Sequence, residues 1–329
     1  MKFLVVRFSS IGDIVLTTPV VRCLKKQVPG AVIHYLTKKT FGSILEPNPY
    51  IDQLHFLKDD LSALIKRLQA EKFDALIDLH NNMRTIRVKR SLNIQSFSFE
   101  KLNIEKWLMT NFKWNRLPDK HVVDRYMETV SSIGVKNDGG GLDYFIPAEQ
   151  QIKMESLPEK FRNGYIGLVT GAAHATKRIP VEKMKEICFS VDLPIVLLGG
   201  KEDSETGELL AAADPTRIYN GCGKFSLHQS ASLVSQSRLI VTPDTGLMHI
   251  AAALKKPVIA VWGNTVPDFG MYPYYGDNVV PYTNMEVTDL RCRPCSKIGY
   301  AACPKKHFRC MLQQDVRAIA TLIRTYWQV

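Results

Sequence analysis

Leu239-Ile240-Val241 leads into Thr242-Pro243-Asp244-Thr245. From Gly246 the pattern changes to the small and apolar run Leu247-Met248-His249-Ile250-Ala251-Ala252-Ala253-Leu254, and Pro257-Val258-Ile259-Ala260-Val261 is continuously apolar again. A buried run, a polar turn, a small-residue helix and a second buried run within about twenty residues describe a βαβ unit. Strands apolar on both sides belong to a parallel sheet covered by helices, which excludes most other architectures. The turn has its own chemistry. The free N–H groups of Thr245, Gly246 and Leu247 open a helix, and a helix N-terminus favours a phosphate or carboxylate. Asp244 and Thr245 are equally ordinary capping residues, so this pattern alone leaves both roles open.

The same alternation extends along the 329-residue chain, a length suited to about two domains. Strands are expected at Phe3–Val6, Val32–Leu36, Gln53–Leu57, Ala75–Leu79 and Ile94–Phe97, with helices at Ile14–Val28, Leu61–Ala70 and Val122–Ile133. Asp138-Gly139-Gly140-Gly141 and the polar stretch Pro147–Gly164 break the pattern. It restarts with strands at Tyr165–Val169 and Pro194–Gly200 and helices at Val181–Val191, Glu202–Ala213 and Ser226–Ser235. The expected division is residues 1–158, residues 159–312, and a last amphipathic helix, 313–329, packing back on the first domain. The fold class is α/β, with two Rossmann-like domains and the carboxyl ends of both sets of strands facing a cleft.

Hydrophobic content of 45% and charged content of 23% are ordinary for a globular protein, and no apolar run is long enough to span a bilayer. Arg7 and Asp13 interrupt the short apolar N-terminus, which reads as a first strand rather than a signal peptide, so the cytoplasm is the expected compartment. Net charge is +11, implying attraction to an anion: nucleic acid, a phosphorylated molecule or a membrane surface. The basic residues are dispersed and aromatic residues are not interleaved with them, which disfavours nucleic acid. Neither G-x-G-x-x-G nor G-x-x-x-x-G-K-[S/T] occurs, which argues against a dehydrogenase or a P-loop NTPase.

Two further loops occupy strand ends. Ser9-Ser10-Ile11-Gly12-Asp13 follows the first strand; Asp13 suits a general base, a ribose ligand or a helix cap, and Ser10 and Gly12 leave room for a ligand. Gly171-Ala172-Ala173-His174-Ala175-Thr176-Lys177-Arg178 follows the first strand of the second half, with space for a backbone approach and then positive charge.

Together, and in this order, the Ser9–Pro19 segment, the Lys177 loop and Asp244-Thr245-Gly246-Leu247-Met248-His249 with its alanines resemble glycosyltransferase family 9, the lipopolysaccharide heptosyltransferases. The resemblance implies a GT-B arrangement and an inverting, metal-independent transfer of heptose from a nucleotide-diphosphate sugar, ADP-heptose by expectation. An epimerase or a transferase of another nucleotide sugar is the alternative. By motif position Asp13 would be the base. Lys177, Asp244, Thr245, Gly246, Leu247 and His249 would bind the donor. Two positions depart from the pattern: Ala173 stands where the family often has a hydroxyl residue, and Ile179 where it often has Trp. The implied acceptor is lipid A–Kdo or the inner core, met by peripheral contact with the inner membrane. Ser10, Gly12, Arg84 and Arg87, with Lys38, Lys39, Lys89 and Arg90, are the candidates to receive it. No cofactor is implied for catalysis and no nucleic-acid partner.

Seven cysteines are present, four of them in Cys292-x2-Cys295-x7-Cys303-x6-Cys310. Four thiols give the ligand count of a structural zinc site; an iron–sulfur cluster and reduced or paired thiols are the other readings.

Overall fold

The apolar runs of the first hundred residues pair into one sheet. Strands β1 (Lys2–Val6), β2 (Val32–Lys38), β3 (Gln53–Leu57), β4 (Ala75–Asp78) and β5 (Gln95–Ser98) lie in the order β3-β2-β1-β4-β5, every pair parallel. In this computed structural model, which describes residues 1–57 and 60–328, the sheet belongs to a unit made of Met1–Leu102, Lys120–Phe145 and Tyr274–Asn278. Helix Leu61–Ala70 presents Leu64, Ile65 and Leu68 to Leu4, Val6, Leu36 and Leu76, building the core on one face. The single helix expected from Ile14 is two, Ile11–Val15 and Thr18–Gln27. Pro19 has no N–H to continue the first helix and suits the start of the second. The Thr17 hydroxyl at the break lies 2.7 Å from the Ile14 carbonyl, to which it donates, and 2.8 Å from the Tyr35 hydroxyl.

The second unit comprises Asn103–Asp119, Ile146–Pro273 and the described residues from Val279 on. Its strands are β6 (Ile166–Val169), β7 (Ile195–Leu198), β8 (Ile218–Asn220), β9 (Leu239–Pro243), β10 (Val258–Trp262) and β11 (Tyr282–Glu286). They form one parallel sheet in the order β11-β10-β9-β6-β7-β8. The Val241–Leu254 region is the expected strand-turn-helix, β9 followed by helix Gly246–Ala253. Helices cover both faces, with Met184, Ile187, Ile319 and Ile323 on one and Leu233, Val234, Met248 and Ala251 on the other.

Three expectations are corrected. The last helix, Val316–Trp327, belongs to the second unit. Its stripe Ile319, Ala320, Ile323 and Tyr326 joins the core beneath β9 and β10, and Tyr326 bonds Thr283 through their hydroxyls at 2.7 Å. The unit boundary is also not at residue 158, because Ile152 is tied to helix Leu227–Gln236 through Ser232 and Gln236. Finally, residues 103–119 belong to the second unit through Met109, which is buried with Val266 and Phe269. Strands β8 and β11 were not anticipated: one has three residues, and the other, Tyr-Thr-Asn-Met-Glu, carries little apolar pattern. Among the described residues no helix is long and apolar enough to cross a membrane.

Candidate active site

In open parallel sheets a ligand binds at the carboxyl ends of the strands, where the strand order reverses. In the first unit that point lies between β1 and β4, the neighbours whose connections leave in opposite directions. Asp13 stands there, in the first turn of helix Ile11–Val15 just after β1. The Ser10 N–H and hydroxyl donate to its Oδ2 at 3.0 and 2.7 Å, and Arg7 Nη2 lies 2.6 Å from its Oδ1. Arg7 is buried and also donates to the carbonyls of Ser9 and Leu79 and to the Tyr126 hydroxyl. Burial opposes its charge, but Asp13, Tyr126 and Tyr35 more than offset that, raising its pKa. The carboxylate therefore has a fixed orientation and a permanent cation beside it. Capping and catalysis are compatible here, because a carboxylate that caps a helix stays ionised and remains an acceptor.

The end of β4 adds a residue that the sequence reading missed. The His80 ring lies 4.9 Å from that of Phe8, and burial, then Arg7 and Lys101, push its imidazole down to about 4. It is neutral at pH 7. Asp78, wholly buried, turns the chain by accepting from the N–H groups of His80 and Asn81, and it pairs with Lys89 at 2.9 Å. Lys89 thus has a structural partner in the turn after β4. Arg84 and Arg87 are exposed on helix Met83–Leu92, the helix that leaves β4. Ser10 is exposed and Gly12 buried beside Asp13.

In the second unit the reversal lies between β6 and β9. Their loops carry Lys177 and Asp244, which pair at 2.6 Å with both side chains mostly covered. Asp244 Oδ2 also accepts from the Thr265 hydroxyl at 2.9 Å, and Thr245 caps the following helix by accepting from the Leu247 N–H at 3.1 Å. The turn is part-exposed from Asp244 to Leu247, whereas His249, one helical turn on, is buried. Space is kept at two glycines. A Cβ on Gly171 would fall 2.1 Å from Asp203 Oδ2, and one on Gly263 would fall 2.6 Å from the Thr176 carbonyl. A cavity of about 300 Å³ opens behind the Lys177 turn, lined by Ala175, Thr176, Ala302, Cys303, Lys306 and Phe308.

The cysteine segment supports this turn. Between Cys292 and Cys295, the mostly buried Arg293 donates to the carbonyls of Gly263, Thr265 and Val287 and pairs with Glu286 at 2.9 Å. Thr265 is thereby held where its hydroxyl reaches Asp244. The four cysteines are not drawn together as a group of metal ligands among the described residues. All four thiols are free, and Cys292 Sγ is 3.7 Å from His307 Nε2. Burial and the neighbouring Cys292 push the Cys295 thiol up to about 12. Among the described residues, the one group of three ligand-type side chains with atoms mutually within 4.8 Å is His34, His55 and Glu71. It lies toward the amino ends of β1 and β2, away from Asp13, with Lys2 already paired to Glu71 at 2.5 Å.

A sequence model of glycosyltransferase family 9 (heptosyltransferase) matches residues 61–301. Lipopolysaccharide heptosyltransferase 1 of Campylobacter coli is 27% identical over 297 residues, which cover 80% of this chain and 84% of that protein. Among solved structures, the family 9 glycosyl transferase of Veillonella parvula superposes with a TM-score of 0.77 at 22% identity, covering 99% of this chain and 97% of the other. The E. coli ADP-heptose lps heptosyltransferase II gives 0.73 at 20% identity, over 100% and 99%. These two share the fold of this chain. With the family match spanning well over half the sequence, the protein is a glycosyltransferase and belongs to glycosyltransferase family 9.

Proposed function

We propose that the chain transfers a heptose from a nucleotide-diphosphate sugar, ADP-heptose, to the lipid A–Kdo or inner-core part of a lipopolysaccharide acceptor, with inversion and without a metal. The observation that carries this reading is the Lys177–Asp244 pair at the strand reversal of the second sheet, beside the N-terminus of helix Gly246–Ala253. The names of the relatives supply the sugar and the acceptor class.

The chemistry is a single displacement. The acceptor hydroxyl gives its proton to Asp13 as its oxygen bonds to the anomeric carbon, and the bond to the β-phosphate oxygen breaks with both electrons leaving on ADP. Charge therefore grows on the diphosphate. Lys177, exchanging Asp244 for phosphate, and the N–H groups of Thr245 and Gly246, joined by that of Leu247 when it exchanges the Thr245 hydroxyl for phosphate, stabilise that charge where other transferases use a divalent cation. Arg7 and Ser10 keep Asp13 aimed, and Arg84 and Arg87 offer surface cations to the anionic acceptor.

The test is a panel of nucleotide sugars, read first by thermal shift and then by transfer to a delipidated inner-core acceptor. ADP-heptose is expected to give the largest stabilisation and the only turnover, because a ligand binding the native state raises its melting point. Dialysis against EDTA should leave turnover within about twofold, since the stabilising charges belong to the protein. Turnover with another sugar nucleotide and not with ADP-heptose, or its loss on chelation, would overturn the corresponding part of the reading.

A further inference from the structure

Helix Asn103–Phe112 and the cysteine segment form a surface that the transfer chemistry does not use. Met109 anchors the helix by packing on Val266 and Phe269. At 100° per residue, Trp107 lies nearly opposite Met109, and Ile104 follows it on the outward side. Ile104, Trp107, Phe112 and Trp114 are 71%, 54%, 54% and 60% exposed. The three rings form one cluster, with Trp107 and Phe112 centred 5.3 Å apart and Phe112 and Trp114 5.8 Å apart. Water gains nothing from such a cluster, and a contiguous exposed aromatic patch marks an interaction surface.

The cysteine segment is bound alongside. Lys113 donates to the Pro294 carbonyl at 2.8 Å, and Lys297 donates to Asn103 Oδ1 at 3.2 Å. That segment adds the exposed apolar side chains Ile298 and Tyr300. Its charge is one-sided. From Arg291 to Cys310 there are six arginines and lysines and no aspartate or glutamate. Arg293 is consumed by Glu286, whereas Arg291, Lys297, Lys305, Lys306 and Arg309 are exposed.

We infer that this face docks the enzyme on an anionic phospholipid bilayer. Tryptophan and phenylalanine enter the headgroup boundary while the surrounding cations meet lipid phosphates. Charge complementarity selects this occupant over a second copy of the chain, which would oppose like charges across a shared face and carries +11 overall. The inference rests on the proposed amphiphilic acceptor, whose sugars stand at a lipid surface. Tyr300 also exchanges hydrogen bonds with Thr176, next to Lys177, so the docking face is continuous with the donor turn.

The test is flotation of the full chain with vesicles of phosphatidylethanolamine and phosphatidylglycerol, about three to one, against vesicles of phosphatidylcholine alone. Neither contains acceptor. The parent should bind the anionic vesicles at least about tenfold more tightly than the neutral ones. Two combined variants, Trp107→Ser/Phe112→Ser/Trp114→Ser and Lys297→Glu/Lys305→Glu/Arg309→Glu, should each lose about tenfold or more. Both should keep the melting temperature and the ADP-induced shift, which separates lost docking from lost folding. Tryptophan emission should shift to the blue on anionic vesicles through Trp107 and Trp114, since Trp262 is already buried and Trp327 packs against the core of the second unit. Equal binding of parent and variants, equal binding to both lipids, or a dimer that the aromatic variant dissociates without any vesicle binding would overturn the inference. A chain that docks but transfers no heptose overturns the transfer reading alone. One that transfers to the delipidated acceptor yet ignores vesicles overturns this one.

Discussion

Asp13 and Lys177 share a surrounding of paired charge but have opposite tasks, and substitution separates them. Asp13→Asn keeps the volume and the bond from Ser10 but cannot take a proton. It is expected to lower kcat by about 10²–10⁴-fold and leave the ADP Kd within a few fold. Lys177→Met removes the cation that meets the diphosphate and should weaken ADP binding by about tenfold or more, through a lost charge-assisted contact. Isothermal titration with ADP and single-turnover transfer read the two effects apart; a kcat unchanged in Asp13→Asn ends its role as base. A second residue-scale prediction concerns acid. Burial, then His34, holds the His55 imidazole down to about 4, and burial, then Lys2, lowers His34. At neutral pH the pair is uncharged and shares a hydrogen bond at 2.9 Å, so the 3.9 Å approach of His34 to Glu71 is no ion pair. A folded-state pKa below the unfolded value of about 6.5 gives stability that is complete above that pH and lost as pH falls through about 4. Melting temperatures between pH 7 and about 4.5 should fall less steeply in His55→Gln, which keeps a polar partner and cannot charge. A slope equal to that of the parent would assign the acid sensitivity elsewhere.

At the scale of elements, the βαβ pattern was readable because burial on both faces leaves a continuous apolar run, and Leu239–Val241 and Val258–Val261 both show it. The same reasoning fails at β11, an edge strand whose residues are mostly half-exposed and need not be apolar. The candidate site was legible where its residues sit directly after strands, as Asp13, Lys177 and Asp244 do. It was illegible where support arrives from far along the chain. The bond from Arg7 to the Tyr126 hydroxyl spans 119 positions, and the support of Thr265 by Arg293 depends on how a loop folds back. The cysteine spacing suggested zinc because spacing counts ligands without showing where their sulfurs point. Gly263 joins these levels. It ends the β10 turn, and an added Cβ would strike the Thr176 carbonyl at 2.6 Å and Met311 Cε at 2.7 Å. A backbone carbonyl cannot rotate away as a side chain can. Gly263→Ala should therefore cost about 1–3 kcal/mol and push the Lys177 turn off its position. Urea denaturation, with ADP titration on the same sample, checks both; a variant of parental stability and affinity would mean the turn yields without consequence.

For the whole molecule, the decisive element is the last helix, because its sequence is amphipathic and says nothing of which sheet it covers. It lies under β9 and β10, the strands whose loops carry Asp244 and Thr265, and Arg324 reaches across to the Ser190 carbonyl on a neighbouring helix. Ile319 and Ile323 are wholly buried and Ala320 and Tyr326 nearly so. Ile323→Ala should then cost about 2–5 kcal/mol from lost burial and the cavity left behind, with the ADP Kd unchanged because no ligand contact is touched. Truncation before Val316 removes all four side chains together. Costs of that kind, summed, approach the roughly 5–15 kcal/mol that holds a typical domain folded. The truncated chain should show no ADP-induced thermal shift. A truncated chain that still binds ADP with parental affinity would mean the second sheet stands without this helix, and that the helix is not part of the donor-binding unit.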